Sequence, residues 1–231
     1  MVCDRYLDAV EILYTDNTIV IESRTLINEW LTPEPRIQQL IPREHLESIT
    51  SLELMWDVVL FKSLIGSDKK HDDIDRHATD RELLAQNLTH LNADTLPHVR
   101  NLTLVFTDSL YSDRVTRPIY NMKEIDEILL QPIAHAITKL APQQRPVVVR
   151  LPAVVFKDIA MAGAREYLGL EPHTEHSNYE EWMRYPGAPI NAESYVRDEA
   201  GAYFMTIGMD SEVQWNWDPY LVERLMSSPQ S

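Results

Sequence analysis

Short strand-like segments alternate with amphipathic helical segments along most of this chain. Strands are predicted to start at Thr18, Ile49, Val99 and Val147, and a stretch with the apolar period of a helix follows each of them. Alternation of this kind favours parallel strands with covering helices, because a parallel crossover needs a connection of helical length. The sequence therefore predicts an α/β fold of alternating helices and strands with a mostly parallel sheet.

The repeating units look alike, and this similarity leaves two architectures open. The segments Ile49–Leu54 (I-T-S-L-E-L) and Val99–Leu104 (V-R-N-L-T-L) match the L-x-x-L-x-L strand of leucine-rich repeats. The intervals between strand starts are irregular, so no strict repeat is established. One solution is a degenerate leucine-rich-repeat-like stack, and the other is a compact open sheet.

Caps and prolines predict where the helices begin and break. Ser23 is predicted to cap a helix that carries Leu26, Ile27, Trp30 and Leu31 on one side. A polar loop is predicted from Gly66 to Thr79, where the capping box Thr79-Asp-Arg-Glu82 would open the next helix. Pro132 is predicted to kink a later helix that opens at Asn121.

Several apolar side chains are predicted to form the core. Trp30 and Trp56 lie on periodic apolar faces. Six strand residues are expected to be buried on neighbouring strands: Leu52, Leu54, Leu102, Leu104, Val148 and Leu151.

The C-terminal quarter reads differently from the rest. Residues 1–170 are predicted to form the strand–helix domain, and residues 171–231 to form an excursion, a hairpin and an aromatic lid on that domain. The hairpin arms are Glu193–Arg197 and Ala202–Met209. Trp215, Trp217 and Tyr220 would then pack as the lid, and the alternative is that they form a recognition patch for a partner.

Composition narrows the classes of partner. The chain has 36 acidic against 21 basic residues, a formal net charge of −15, so nucleic acid and anionic membranes are disfavoured and basic partners are favoured. Cys3 is the only cysteine, which favours a reduced, intracellular setting and rules out an intrachain disulfide. No glycine-rich phosphate loop is present, and no cofactor is expected.

Two clusters contain residue types that bind metals. The first combines His71, Asp73, Asp75 and His77, and the second pairs His173 with His176. Imidazole and carboxylate ligands suit zinc, manganese or iron, but neither spacing matches a known ligand frame, and the first cluster falls in the predicted loop. Solvated polar segments are the favoured interpretation. The sequence also lacks a nucleophile elbow, so no catalytic residue is assigned.

One long segment resembles a known protein family. Cys3–Ile19 is similar to the pattern C-x-x-I-Y-x-E-A-x-x-x-L-Y-x-x-N-T-F of a fungal F-box-like family of unknown function, and Ile49–Trp56 and Arg100–Phe106 are similar to its following strands. Ile19 departs from the family's usual aromatic residue. The F-box-like segment at the family's amino terminus has no counterpart in this sequence. The resemblance implies an architecture and supplies no catalytic residues.

These observations lead to one expected function and two alternatives. The expected function is a non-enzymatic protein–protein interaction module, because a strand–helix stack presents a broad surface. The first alternative is a metal-dependent enzyme that uses one of the histidine clusters. The second is an inactive fragment of a longer F-box-like protein.

Overall fold

A computed structural model describes residues 12–32, 45, 47–61, 72–107, 110, 122–140, 147–153, 155–156, 159, 170–172, 181–185 and 201–208. Seven strands form one sheet in this part of the chain. They are β1 (Thr18–Ile21), β2 (Ser51–Trp56), β3 (Asn101–Phe106), β4 (Val147–Leu151), β5 (Leu170–Pro172), β6 (Glu181–Arg184) and β7 (Tyr203–Ile207). Their order across the sheet is β1-β2-β3-β4-β7-β6-β5.

The sheet is mostly parallel, as predicted. β1 to β4 lie side by side in chain order and are parallel, and β7 is parallel to β4. β6 runs antiparallel to β7, and β5 runs antiparallel to β6. The α/β fold and its antiparallel C-terminal part are thus confirmed, with β6 as the antiparallel neighbour of β7. The predicted hairpin arm at 193–197 lies outside the described residues.

The helices form one layer against one face of the sheet. They are α1 (Arg24–Leu31), α2 (Asp72–His90), α3 (Met122–Ile125), a π-helix (Asp126–Leu130) and α4 (Gln131–Ile137). α1 contacts α2, and α2 contacts α4, so the connections between β1, β2, β3 and β4 lie next to one another. Sequential parallel strands with neighbouring crossover helices fit both architectures that the sequence left open, a leucine-rich-repeat-like stack and a compact open sheet.

The core lies between this helix layer and the sheet. Five of the predicted core leucines are at most 2% exposed: Leu52, Leu54, Leu102, Leu104 and Leu151. Trp30 and Trp56 are also buried, and the Trp56 ring stacks on Phe106 with ring centroids 5.4 Å apart.

Val148 was assigned to the wrong face of its strand. Val147 and Val149 are buried, whereas Val148 is half-buried on the opposite face. Side chains alternate along a strand with a period of 2, so Val148 and Leu151, three positions apart, cannot both face the core. The polar Arg150 beside Leu151 indicates which face is which: Leu151, Val149 and Val147 face the core, and Val148 does not.

The observed start of α1 agrees with the start predicted from the sequence, and the observed start of α2 does not. The Ser23 side chain accepts a hydrogen bond from the Leu26 amide at 3.4 Å, as an N-cap should. α2 already begins at Asp72, so the predicted loop is wrong over residues 72–79 and Thr79 lies inside the helix. The helix dipole favours acidic residues in the first turn, and Asp72, Asp73 and Asp75 provide them. The prediction followed the capping box at Thr79 and did not use this signal.

A π-helix lies directly before the helix that contains Pro132, where the sequence predicted a kink. Five residues, Asp126–Leu130, adopt this wider turn directly before α4. Proline has no amide hydrogen and its ring clashes with the carbonyl four residues earlier, so an α-helix cannot continue unchanged through it. The wider turn places Asp126 in a buried position, with 8% exposure.

Candidate protein-binding surface

The sheet has one face turned away from the described helices α1, α2 and α4, which we call the open face. Two neighbouring rows of side chains cross it, Glu53–Thr103–Val148–Phe204 and Met55–Val105–Arg150–Thr206. Of these eight residues Val105 is buried, and the other seven are half-buried. The residues between them on the helix side, Leu54, Leu104, Val149 and Met205, are all 0% exposed. The two faces of the sheet therefore differ sharply in solvent contact.

An ion pair lies at the centre of the open face. Arg150 on β4 donates from a guanidinium NH₂ group to the Glu53 carboxylate on β2 at 2.9 Å, and both side chains reach across β3. Glu53 is 15% exposed and Arg150 is 35% exposed, so the pair is partly shielded from water. Partial burial makes the attraction stronger than in a fully exposed pair.

The rest of the open face mixes hydroxyl, amide and apolar groups. The Asn101 amide donates to the Ser51 hydroxyl at 2.8 Å, which ties β3 to β2. Thr103, Val148 and Phe204 add half-buried groups without formal charge. Such a mixture of apolar area, hydrogen-bonding groups and few charges is typical of protein–protein contact surfaces.

The carboxyl edge of the parallel strands is the usual ligand site in open α/β sheets, but two charged residues of α2 that lie close to it, Asp80 and Arg81, have structural roles. Asp80 on α2 is only 1% exposed. One of its oxygens pairs with Arg24 on α1, and the other accepts the Val59 amide at 2.9 Å. This carboxylate therefore fastens α1 and the segment after β2 to α2.

Arg81, the next residue along α2, also connects the segment after β2 to this helix and binds Glu124 on α3. Its Nε donates to the Leu60 carbonyl at 2.6 Å, and a guanidinium NH₂ group donates to Glu124 at 2.7 Å. The guanidinium carbon lies 6.0 Å from the centre of the Phe61 ring. Asp80 and Arg81 are thus explained as structural groups, and the sequence predicted neither of these roles.

A second ion pair is buried on the helix side of the sheet. Arg184 on β6 is 1% exposed. Its guanidinium group donates to the Asp126 carboxylate at 2.8 Å and to the Tyr185 carbonyl at 2.9 Å. Gln131 donates to the other Asp126 oxygen at 3.2 Å. Arg184 Nε has no hydrogen-bond partner among the described residues. The pair joins the π-helix to the antiparallel end of the sheet.

Tyr203 on β7 is part of this buried cluster. Its hydroxyl donates to the Leu130 carbonyl at 3.2 Å, and the residue is 0% exposed. Burial raises the pKa of Tyr203 above its ordinary value, Asp126 raises it further, and Arg184 lowers it without offsetting burial. The phenol is therefore neutral and serves as a hydrogen-bond donor.

Most of the sequence-predicted site residues lie outside the described part of the chain. This applies to His71, His173, His176, Trp215, Trp217 and Tyr220. Asp73, Asp75 and His77 belong to α2, so this part of the first cluster is helical and not a loop. The two metal-site hypotheses and the aromatic lid remain predictions.

Two searches of the described residues gave negative results. No three His, Cys, Asp or Glu side chains among them come close enough together to hold a metal ion. No helix among them combines the length and apolar character needed to cross a membrane.

Comparison with known proteins adds no assignment. No protein-family model matches this chain, and neither a curated protein nor a solved structure shows significant similarity to it.

Proposed function

We propose that this protein is a non-enzymatic binding module whose open face docks a basic protein partner. The observation that carries the proposal is the placement of the helices α1, α2 and α4 on one side of four sequential parallel strands. In stacked strand–helix proteins this arrangement leaves the opposite strand surface as an extended binding face. Here that surface includes Thr103, Val148 and the Glu53–Arg150 pair.

The charge distribution supports a basic partner. Arg24, Arg81, Lys123, Arg150 and Arg184 each pair with a carboxylate of the same chain. Each pair cancels one charge of each sign, so the net charge of −15 is carried by the remaining residues of the chain. A field of this sign accelerates the encounter with positively charged proteins and slows the encounter with polyanions.

The proposal includes a cellular setting and excludes catalysis. The single Cys3 fits an intracellular, reducing compartment. No catalytic group is assigned: at the carboxyl edge Asp80 and Arg81 fasten loops, and Asp57 accepts a hydrogen bond from Thr107. The acidic surface and the open face together support binding without chemistry.

Site-specific photocrosslinking tests the open face directly. We would place p-benzoylphenylalanine at Thr103, on the open face, and in a matched control at Thr89, which is exposed on α2 in the helix layer. The expected result is a discrete crosslinked partner of basic composition from Thr103, absent from Thr89 and reduced at high salt. Equal crosslinking from both positions, or crosslinking that salt does not affect, would contradict the proposal.

A specific observation keeps the metal-dependent alternative worth testing. The helical backbone of α2 separates Asp73 and His77 by four residues, a spacing that places two residues on one helix face. Elemental analysis of the purified chain distinguishes the two functions. Stoichiometric zinc or manganese that is lost in a His71→Ala, His77→Ala double variant would favour the enzyme.

A further inference from the structure

β1 forms one outer edge of the sheet and has the composition of a strand that can accept another strand. Within the described ranges β2 is the only strand that pairs with it. Its four residues, Thr18–Ile21, are all β-branched, and they include neither a charge nor a proline. An edge of this kind exposes backbone donors and acceptors that an incoming strand can use.

The opposite edge of the sheet is protected against the same reaction. β5 has only three residues, and one of them is Pro172, which cannot donate a backbone hydrogen bond. Very short edge strands and edge prolines are two common means by which proteins prevent unwanted strand pairing. β1 is only one residue longer, but it contains no proline, so its edge lacks the block that Pro172 places on β5.

The most exposed large apolar side chains of the described residues lie in β1 or next to it in sequence. They are Ile12, Leu13, Val20 and Leu26, with exposures of 58%, 51%, 47% and 40%. Of the four, Val20 is the one within β1, and its register with Glu53 places it on the open face of the sheet. Its exposed side chain can contact a residue of an added strand.

We infer that the β1 edge binds an extended segment of the partner protein, with an uncharged β-branched centre and a basic residue on each side. The basic flanks follow from the two carboxylates that bracket β1, since Asp16 precedes the strand and Glu22 follows it, and both are exposed. A carboxylate at each end favours the same basic flanks in parallel and antiparallel pairing. At about 3.3 Å per residue, matching flanks lie roughly six positions apart in the partner.

A second copy of this chain is a poorer occupant of the edge. Antiparallel self-pairing would bring Asp16 of one copy near Glu22 of the other, and parallel self-pairing would bring identical carboxylates together. Each copy also has a net charge of −15. Like charges directly opposite each other destabilise strand pairing, whereas basic flanks stabilise it.

A synthetic peptide provides the test. The probe is a fluorescently labelled peptide of alternating valine and threonine with two lysines at each end, and the control peptide has glutamates in place of the lysines. Anisotropy titrations against the full chain should show saturable binding of the lysine peptide and at least about tenfold weaker binding of the glutamate peptide. Failure of the lysine peptide to bind at millimolar concentration would overturn the inference.

Two pairs of controls locate the binding. Val20→Lys should weaken binding by at least about tenfold, since an edge lysine blocks strand pairing, while Val20→Thr should weaken it by less than about threefold. N-methylation of one set of alternate peptide amides should abolish binding, and N-methylation of the other set should not. Equal effects of the two methylated sets, or full binding by the Val20→Lys variant, would contradict strand addition.

The inference gives the partner chemistry for the proposed function and rests on it, yet the two can fail separately. Thr103→Arg alters the open face and should leave peptide binding unchanged, while it weakens docking of the whole partner. Loss of peptide binding in this variant would contradict the edge as the site. Dimerisation of the chain through β1, detected by light scattering and abolished by Val20→Lys, would identify a second copy as the occupant and overturn the assignment of a partner.

Discussion

Arg150 on β4 and Glu53 on β2 form an ion pair across β3, with an N–O distance of 2.9 Å between residues 97 positions apart in sequence. The two side chains connect three parallel strands on the face that the helices leave uncovered. This pair is the main charged feature of the candidate binding surface. It also has a measurable consequence for the stability of the sheet.

A double-mutant cycle measures the coupling in this pair. Glu53→Gln and Arg150→Met should each lower the free energy of unfolding, and the double variant should lose less than the sum of the two. We expect a coupling free energy of about 1 kcal/mol, at the upper end for exposed pairs because the site is partly buried. Urea unfolding at low and high salt provides the measurement, and a coupling of zero at low salt would show that the pair contributes nothing.

Breaking the buried Asp126–Arg184 pair should lower the free energy of unfolding more than breaking the Glu53–Arg150 pair does. Arg184→Met leaves the Asp126 carboxylate buried without its cation, and we expect a loss of about 3–5 kcal/mol in the free energy of unfolding. The double variant with Asp126→Leu removes the stranded charge and should recover much of this loss. Denaturant unfolding of the three proteins gives the comparison, and a double variant no more stable than Arg184→Met would contradict it.

Tyr203 should make stability depend on pH in the alkaline range. The unfolded chain ionises this phenol near pH 10, while burial holds the folded pKa higher, so the stabilisation is complete below about pH 10 and is lost as pH rises through the folded pKa. Tyr203→Phe should cost about 1 kcal/mol at neutral pH through the lost hydrogen bond to Leu130.

The informative quantity is the difference between wild type and Tyr203→Phe. Their difference in free energy of unfolding should be constant from pH 7 to 9 and should shrink at higher pH. A difference that stays constant, or grows, above about pH 10 would show that the folded pKa of Tyr203 is not raised.

The early start of α2 can be tested with proline. Ala78 is exposed inside this helix, so Ala78→Pro should cost about 3 kcal/mol or more, whereas Ala78→Gly should cost about 1 kcal/mol. A helix that began at the capping box of Thr79 would tolerate proline at position 78. Thermal unfolding monitored by circular dichroism distinguishes the two starts, and equal stability of the proline and glycine variants would favour the later one.

The sequence predicted elements better than it predicted their edges and faces. Alternating leucines located β2 and β3 because period-2 burial appears directly in the residue order. In β4 the three valines carry no alternation of their own, and the alternation that Arg150 and Leu151 indicate was not applied to Val148. β5 and β6 have only three and four residues and were not predicted, since segments this short have no usable pattern.

The candidate surfaces depended on contacts that no local pattern reveals. The Glu53–Arg150 and Asp126–Arg184 pairs join residues 97 and 58 positions apart, and a single sequence contains no signal that links them. The role of Asp80 was likewise not predicted, because its partners Arg24 and Val59 lie in other segments.

By itself the sequence determined the α/β class, the mostly parallel sheet, the core leucines and the acidic surface, because periodicity and charge are local or additive properties. Among the described residues, the tertiary structure decided which face of the sheet the helices cover, where the charges pair and which strands lie at the edges. These features follow from the lateral order of the strands and the side on which the helices cross. That order is set by packing between segments far apart in the chain, so it is absent from any short stretch of residues.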